Sequence, residues 1–275
     1  MPTIDSEIEW KEYRKTFWTS MHDLWSDFND YVVSRGVEPL DPKKNNKWCN
    51  GSQFLNIYGF PLELDYLDIR PLDKNWIRFD NLMRSEVKEK FEIPPELSDK
   101  SGKLIYFSMG SMGGTNLDLI SRLISILGKS EHRYVVSKGP CHDEYDLPPN
   151  MWGERTVPQI QVLPIVDLVI THGGNNTVTE TFYYGKPLIV LPLFVDQYDN
   201  AQRVHEKGFG IRLDPYLCTE EELLKSIEKL LNDKELNEKL QKISKRIQTE
   251  NSIEKLPKII EDLVTFNDNN NIKYI

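Results

Sequence analysis

Cysteine is scarce in this chain of 275 residues: Cys49, Cys141 and Cys218 are odd in number, widely separated and in no CxxC or Cys/His metal spacing. A disulfide scaffold and a cysteine-based metal site are thereby excluded, and a reducing compartment fits. Long apolar runs are lacking too. No window approaches 18 apolar residues, and the N-terminal MPTIDSEIEWKEYRK has no signal-peptide core, so the sequence predicts a soluble, cytoplasmic protein without a membrane span. Positive charge is in deficit: 34 Lys and Arg stand against 43 Asp and Glu, a net charge of −9 with no basic cluster. That argues against nucleic acid and anionic membrane surfaces as partners. Internal repeats and low-complexity tracts are absent as well.

What is present is a globular composition, 39% hydrophobic and 11% aromatic, sufficient for one large domain or two ordinary ones. Residues 5–34 carry Trp10, Tyr13, Phe17, Met21, Leu24, Trp25, Phe28, Tyr31 and Val32 at threes and fours, the pattern of one amphipathic helix or two that need a partner surface. A loop over 39–51 precedes expected strands at 54–58 and 76–79. Residues 84–103, charged and containing Pro94-Pro95, read as a linker between domains. Beyond it, strands at 104–107, 134–137 and 209–213 alternate with helices at 116–127, 200–207, 220–231 and 234–247, and a last helix lies near 253–264. The alternation predicts a doubly wound α/β domain. Gly110 to Gly114 reads as a flexible glycine-rich loop, and the residues from Met151 to Gln159 lead into a short helix.

The chain centres on Asp167 to Asn200. Apolar Leu168 to Ile170 predicts a buried strand, and His172-Gly173-Gly174-Asn175-Asn176 breaks it. A helix follows, with Thr177-x-x-Glu180 at capping-box spacing, Gly185 past its C-cap and Pro187 barring continuation. A second apolar run, Leu188 to Leu191, ends in a polar loop with Asp196 and Gln197. Strand, loop, helix, strand, loop places two polar loops on the edge of a parallel sheet where ligands bind.

These residues carry a resemblance. Val157-Pro158-Gln159, Thr171 to Thr177, Glu180, Gly185-Lys186-Pro187, Pro192-Leu193-Phe194, Asp196-Gln197 and Asn200-Ala201, with Phe107 to Ser111 earlier, are similar to the signature of the UDP-glycosyltransferases. That family is inverting, metal-independent and of the GT-B fold. The resemblance implies a complete Rossmann-like donor domain over 104–250, a remnant of the N-terminal acceptor domain over 1–83, a linker over 84–103, and a C-terminal helix and tail over 251–275. It implies hexosyl transfer from a UDP-sugar to a hydroxyl of a small lipophilic acceptor, with no cofactor or metal.

Residue by residue, it implies diphosphate contacts from Ser111, His172, Gly174, Asn176 and Thr177, ribose contacts from Glu180 and Gln159, uracil contacts from Thr156 and Val157, and sugar contacts from Asp196 and Gln197. Simple helix capping remains an alternative for Asn176, Thr177 and Glu180, and a polar turn for Asp196 and Gln197. The sequence departs from the family where Thr156 replaces a stacking Trp. Residues 1–83 are similar only to the last helices and strand of the acceptor domain, so the family's catalytic histidine has no counterpart and the catalytic residue is unknown. A non-catalytic nucleotide-sugar binding module, or a truncated inactive relative, is the alternative function.

Overall fold

A computed structural model describes residues 7–41, 51–69, 71–83 and 90–269. Cys49, most of the loop expected over 39–51, the first half of the 84–103 linker and the polar C-terminus lie wholly or partly outside them. The chain divides into two compact units, Met1–Asn56 and Ile57–Ile275. The boundary expected at residue 83 therefore falls inside the second unit.

In the first unit the amphipathic segment is two helices, α1 (Glu7–Ser20) and α2 (His22–Ser34), broken at Met21. No residue of α2 is buried, and Leu24 and Tyr31 are each 56% exposed. Behind α2 the chain is held by the Asn29 side chain, whose Oδ1 accepts from the Leu40 N–H at 2.7 Å.

The second unit opens with a two-stranded sheet, β1 (Asn56–Gly59) and β2 (Trp76–Phe79), followed by α3 (Pro95–Ser98). Then come β3 (Leu104–Ser108), α4 (Gly110–Gly113), α5 (Leu117–Leu127), β4 (Arg133–Ser137), β5 (Met151–Glu154) and α6 (Gln159–Val162). The chain continues through β6 (Leu168–Thr171), α7 (Asn175–Tyr183), β7 (Leu188–Val190), α8 (Gln197–Glu206) and β8 (Gly210–Arg212). It ends with α9 (Glu220–Asn232), α10 (Lys234–Glu250) and α11 (Leu256–Asn269). Strands β3 to β8 form one parallel sheet in the order β5-β4-β3-β6-β7-β8.

Every residue of β3, β6 and β7 is buried, as the unbroken apolar runs require of strands covered by helices on both faces. The chain winds outward from β3 to β5, returns to place β6 on the other side of β3, and winds outward again. The loops after β3 and β6 therefore diverge and leave a crevice between them.

Three expectations change. The 84–103 segment is not only a linker, because Leu97 on α3 is fully buried in the sheet domain's core and its carbonyl accepts from Arg133 Nη1 at 2.9 Å. Gly110 to Gly113 is a helical turn rather than a flexible loop. Residues 151–154 form the edge strand β5, where a Cβ on Gly153 would lie 2.4 Å from the Val136 carbonyl oxygen.

Residues 57–83 are strapped to the sheet domain by ions. Arg203, 2% exposed on α8, donates from Nε to the Leu64 carbonyl at 2.8 Å and pairs with Asp68 at 2.8 Å and Glu206 at 2.7 Å. Arg246 on α10 pairs with Glu63 at 2.9 Å and Asp80 at 2.8 Å, and Asp80 is shared with Arg78 at 2.9 Å. Burial alone would raise the Asp80 carboxyl, but the two guanidiniums outweigh it and hold its pKa below the ordinary 3.8. A carboxylate with a depressed native pKa stabilises the fold above its unfolded pKa and ceases to do so as pH falls through the native value. Asp80→Asn should therefore lower the unfolding free energy at neutral pH by about 2 to 3 kcal/mol in urea titrations. The difference from wild type should shrink on acidification below the ordinary carboxylate range.

Candidate functional site

The loops at the C-terminal ends of β3, β6 and β7 are locked together around one ring. His172 follows β6, and the edge of its imidazole lies against two glycines. A Cβ on Gly110 would come within 2.7 Å of Cε1, and one on Gly174 within 2.7 Å of Nε2. Gly110 also has φ +70, a left-handed conformation that favours glycine. Desolvation lowers the His172 pKa below 6.5, and a backbone hydrogen bond at Ser108 and the Asp196 charge only partly offset it. Burial thus favours the neutral form of the ring.

The next loop is tied in by Asn200, whose Nδ2 donates to the Gly173 carbonyl at 2.9 Å and to Asp196 Oδ2 at 3.1 Å. Gly173, at φ +87, leaves no room for a Cβ, which would meet Val190 Cγ1 at 2.5 Å. Gln197 is buried, and its Oε1 accepts from the backbone N–H groups of Leu193 at 2.9 Å and Phe194 at 3.2 Å. Its oxygen is thus committed, and its amide nitrogen is the atom that can donate elsewhere. Asp196 is exposed beside it.

Helix α7 begins at the crevice without a side-chain cap: Gly174 is the N-cap, and the first intrahelical bond runs from Val178 N–H to the Gly174 carbonyl. The N–H groups of Asn175, Asn176 and Thr177 precede that bond and carry the helix's partial positive charge. The capping box expected at Thr177 and Glu180 is absent, because the N-cap is Gly174, three residues earlier, and both side chains turn to α6. Gln159 Nε2 donates to Glu180 Oε2 at 2.5 Å and lies 3.4 Å from Thr177 Oγ1. The signature capping box sits instead at Thr219 and Glu222 on α9. Asn176 is exposed at the helix start, while Asn175 Nδ2 donates to the Gly59 carbonyl at 3.1 Å.

Ser111 is exposed on the first turn of α4, next to Gly110. Thr156 is exposed and Val157 buried just before α6. Trp152 lies within β5, its ring centroid 5.8 Å from that of Phe91. One contributor was not expected from the sequence, and one that was quoted gains a role. Tyr106 looks like one more apolar strand residue, yet its hydroxyl donates to Gln159 Oε1 at 3.1 Å. The spacing of Asn200, four residues after Asp196 on α8, was the available signal for its role.

Among the described residues, Glu131, His132 and Glu228 offer ligand atoms within 4.8 Å of one another, at the opposite edge of the sheet. They do not fit a metal. His132 Nδ1 accepts from the Lys103 N–H at 3.3 Å, so in the neutral ring the proton sits on Nε2, which faces Glu228 Oε1 at 2.7 Å. A cation would need the lone pair that this tautomer lacks.

A family profile described as UDP-glucoronosyl and UDP-glucosyl transferase matches residues 89–260. The chain belongs to this UDP-glycosyltransferase family. It is 29% identical over 166 residues to NDP-glycosyltransferase YjiC of Bacillus subtilis (strain 168), covering 59% of this chain and 42% of the relative. It is 30% identical over 203 residues to UDP-glucuronosyltransferase 1A6 of Homo sapiens, covering 70% of this chain and 36% of the relative. Among solved structures, the glycotransferase of kitacinnamycin superposes with a TM-score of 0.71 at 20% identity, over 92% of this chain and 67% of that one. The fold is thus that of GT-B glycosyltransferases. The chain spans less than half the length of these curated relatives. No helix among the described residues is long and apolar enough to cross a membrane.

In this UDP-glycosyltransferase chain, Gly174 has φ −59 and ψ 141, which alanine adopts without strain. Gly174→Ala should therefore act on the ring alone. In NMR titrations the His172 imidazole should move from its depressed pKa toward the ordinary value, with the fold retained.

Proposed function

We propose that this chain forms the donor half of a glycosyltransferase that moves a hexose from a UDP-sugar to a hydroxyl of a small lipophilic acceptor. The observation that carries the reading is the uncapped N-terminus of α7 opening beside His172 at the point where the sheet's winding reverses. An acidic protein can hold an anion there because backbone N–H groups and the helix dipole act locally, whatever the net charge. Ser111, His172, Gly174, Asn176 and Thr177 take the diphosphate. Glu180 and Gln159 take the ribose, as a carboxylate and an amide suit two neighbouring hydroxyls. Thr156 and the Val157 backbone meet the uracil, and Asp196 and Gln197 hold the sugar.

In the reaction an acceptor hydroxyl oxygen attacks C1 of the sugar from the face opposite the diphosphate, while a general base, a role given to no residue here, takes the hydroxyl proton. The bond from C1 to the UDP oxygen breaks with its electron pair staying on UDP. The negative charge that develops on the UDP oxygen is stabilised by the α7 N–H groups and by His172. No metal is needed, since these donors supply the positive potential.

A second reading is a nucleotide-sugar binding module without turnover, favoured by the engagement of other histidines elsewhere. His132 faces Glu228, and His142 pairs with Asp143 at 3.2 Å. Incubation with UDP-glucose and a panel of phenols separates the two, glycoside formation supporting the enzyme and its absence the module. For the site itself, saturating UDP should raise the melting temperature by several degrees, and His172→Ala should abolish most of that shift. An equal shift in the variant would overturn the diphosphate role.

A further inference from the structure

Tyr106 lies in the middle of β3, 1% exposed, between Val135 of β4 and Val169 of β6. Its phenol is pushed up to about 12 by burial, so the hydroxyl keeps its proton and must give it to an acceptor. Gln159 Oε1 accepts at 3.1 Å, and the Ser108 and Ser137 hydroxyls also interact with the phenol oxygen.

The direction of that bond follows from what lies on the other side of the amide. Glu180 Oε2 is 2.5 Å from one terminal atom of Gln159. A carboxylate oxygen cannot face an amide oxygen at that distance, so the atom is Nε2, and the atom turned to Tyr106 is Oε1. Thr177 Oγ1 flanks the same amide, 3.4 Å from Nε2 and 3.5 Å from Oε1. Tyr106, Gln159 and Glu180 thus form a directed chain of donors running from the strand core to the carboxylate on α7.

We propose that Tyr106 is a positioning residue for donor ribose recognition: its O–H fixes the Gln159 amide, which in turn holds the Glu180 carboxylate in the plane that meets two vicinal hydroxyls. The proposal rests on the ribose role given to Glu180. A hydrogen bond of this kind, made inside a dry core, contributes roughly a three- to tenfold factor in an equilibrium. Tyr106 touches no ligand, so its effect appears only through the ribose hydroxyls that Glu180 and Gln159 receive.

The test is calorimetric titration of the full chain with UDP and with 2′,3′-dideoxyuridine diphosphate. Wild type should prefer UDP, and Glu180→Gln should erase the preference. Tyr106→Phe, which keeps the ring and removes one oxygen, should cut the preference about three- to tenfold while leaving affinity for the dideoxy compound unchanged; the melting temperature should fall modestly, as loss of a buried hydrogen bond requires. Gln159→Met should cut it as well, and adding Tyr106→Phe to Gln159→Met should cost nothing further. If Glu180→Gln leaves the preference intact, the ribose reading itself fails. If Glu180→Gln erases it but Tyr106→Phe retains it, or weakens both ligands equally, Tyr106 has no positioning role.

Discussion

The absence of a side chain at two backbone positions holds the strand-end loops together. The His172 ring occupies the space that Cβ atoms on Gly110 and Gly174 would fill, and those glycines belong to the loops after β3 and β6. Adjacent parallel strands lie about 4.8 Å apart, so loops leaving them in opposite directions can close on a ring only where nothing projects between them. The same economy recurs at Gly173, whose left-handed backbone lets the loop approach Val190 and offers its carbonyl to Asn200. Three loops are thereby fixed relative to the start of α7 before any ligand arrives, which is the preorganisation that binding an anion without rearrangement needs.

Charge is arranged on two scales. Overall the chain is acidic, with a net charge of −9. Its buried or half-buried cations are spent internally: Arg203 and Arg246 clasp residues 57–83 against α8 and α10. Asn175, at the first position of α7, reaches the same strap through the Gly59 carbonyl. The strap therefore bears on the helix start that carries the proposed anion site. At the proposed anion site the donors are the peptide N–H groups at the start of α7 and the His172 imidazole.

The fold was legible where local chemistry and tertiary demand agree. Leu168 to Ile170 and Leu188 to Leu191 are apolar, short and bounded by polar loops. Gly185, at φ +63, ends α7 as the sequence expects. The failures are places where one residue serves a contact that sequence spacing does not reveal. Thr177-x-x-Glu180 has the spacing of a capping box, but the helix begins at Asn175, and Glu180 is drawn to Gln159 across the domain. Met151 to Gln159 reads as a lead-in to a short helix, yet residues 151–154 form strand β5, where Gly153 fits under the Val136 carbonyl because it has no Cβ. Leu97 sits in a charged stretch broken by Pro94-Pro95, where four-residue α3 is too short to show a helical period, and it is fully buried. The candidate site was legible as a set of residue types; the partner of each one, and the buried Tyr106 behind Gln159, required the fold.

The central claim is that the opening of α7 beside His172 binds the diphosphate of a nucleotide, with no metal and without help from net charge. The most direct measurement is isothermal titration of the chain with UDP, UMP and uridine in the presence of a chelator. Affinity should fall stepwise from UDP to UMP to uridine, because each phosphate removed takes away contacts with the helix N-terminus and the imidazole. Equal affinity for UDP and uridine, or UDP binding that disappears with the chelator, would contradict it.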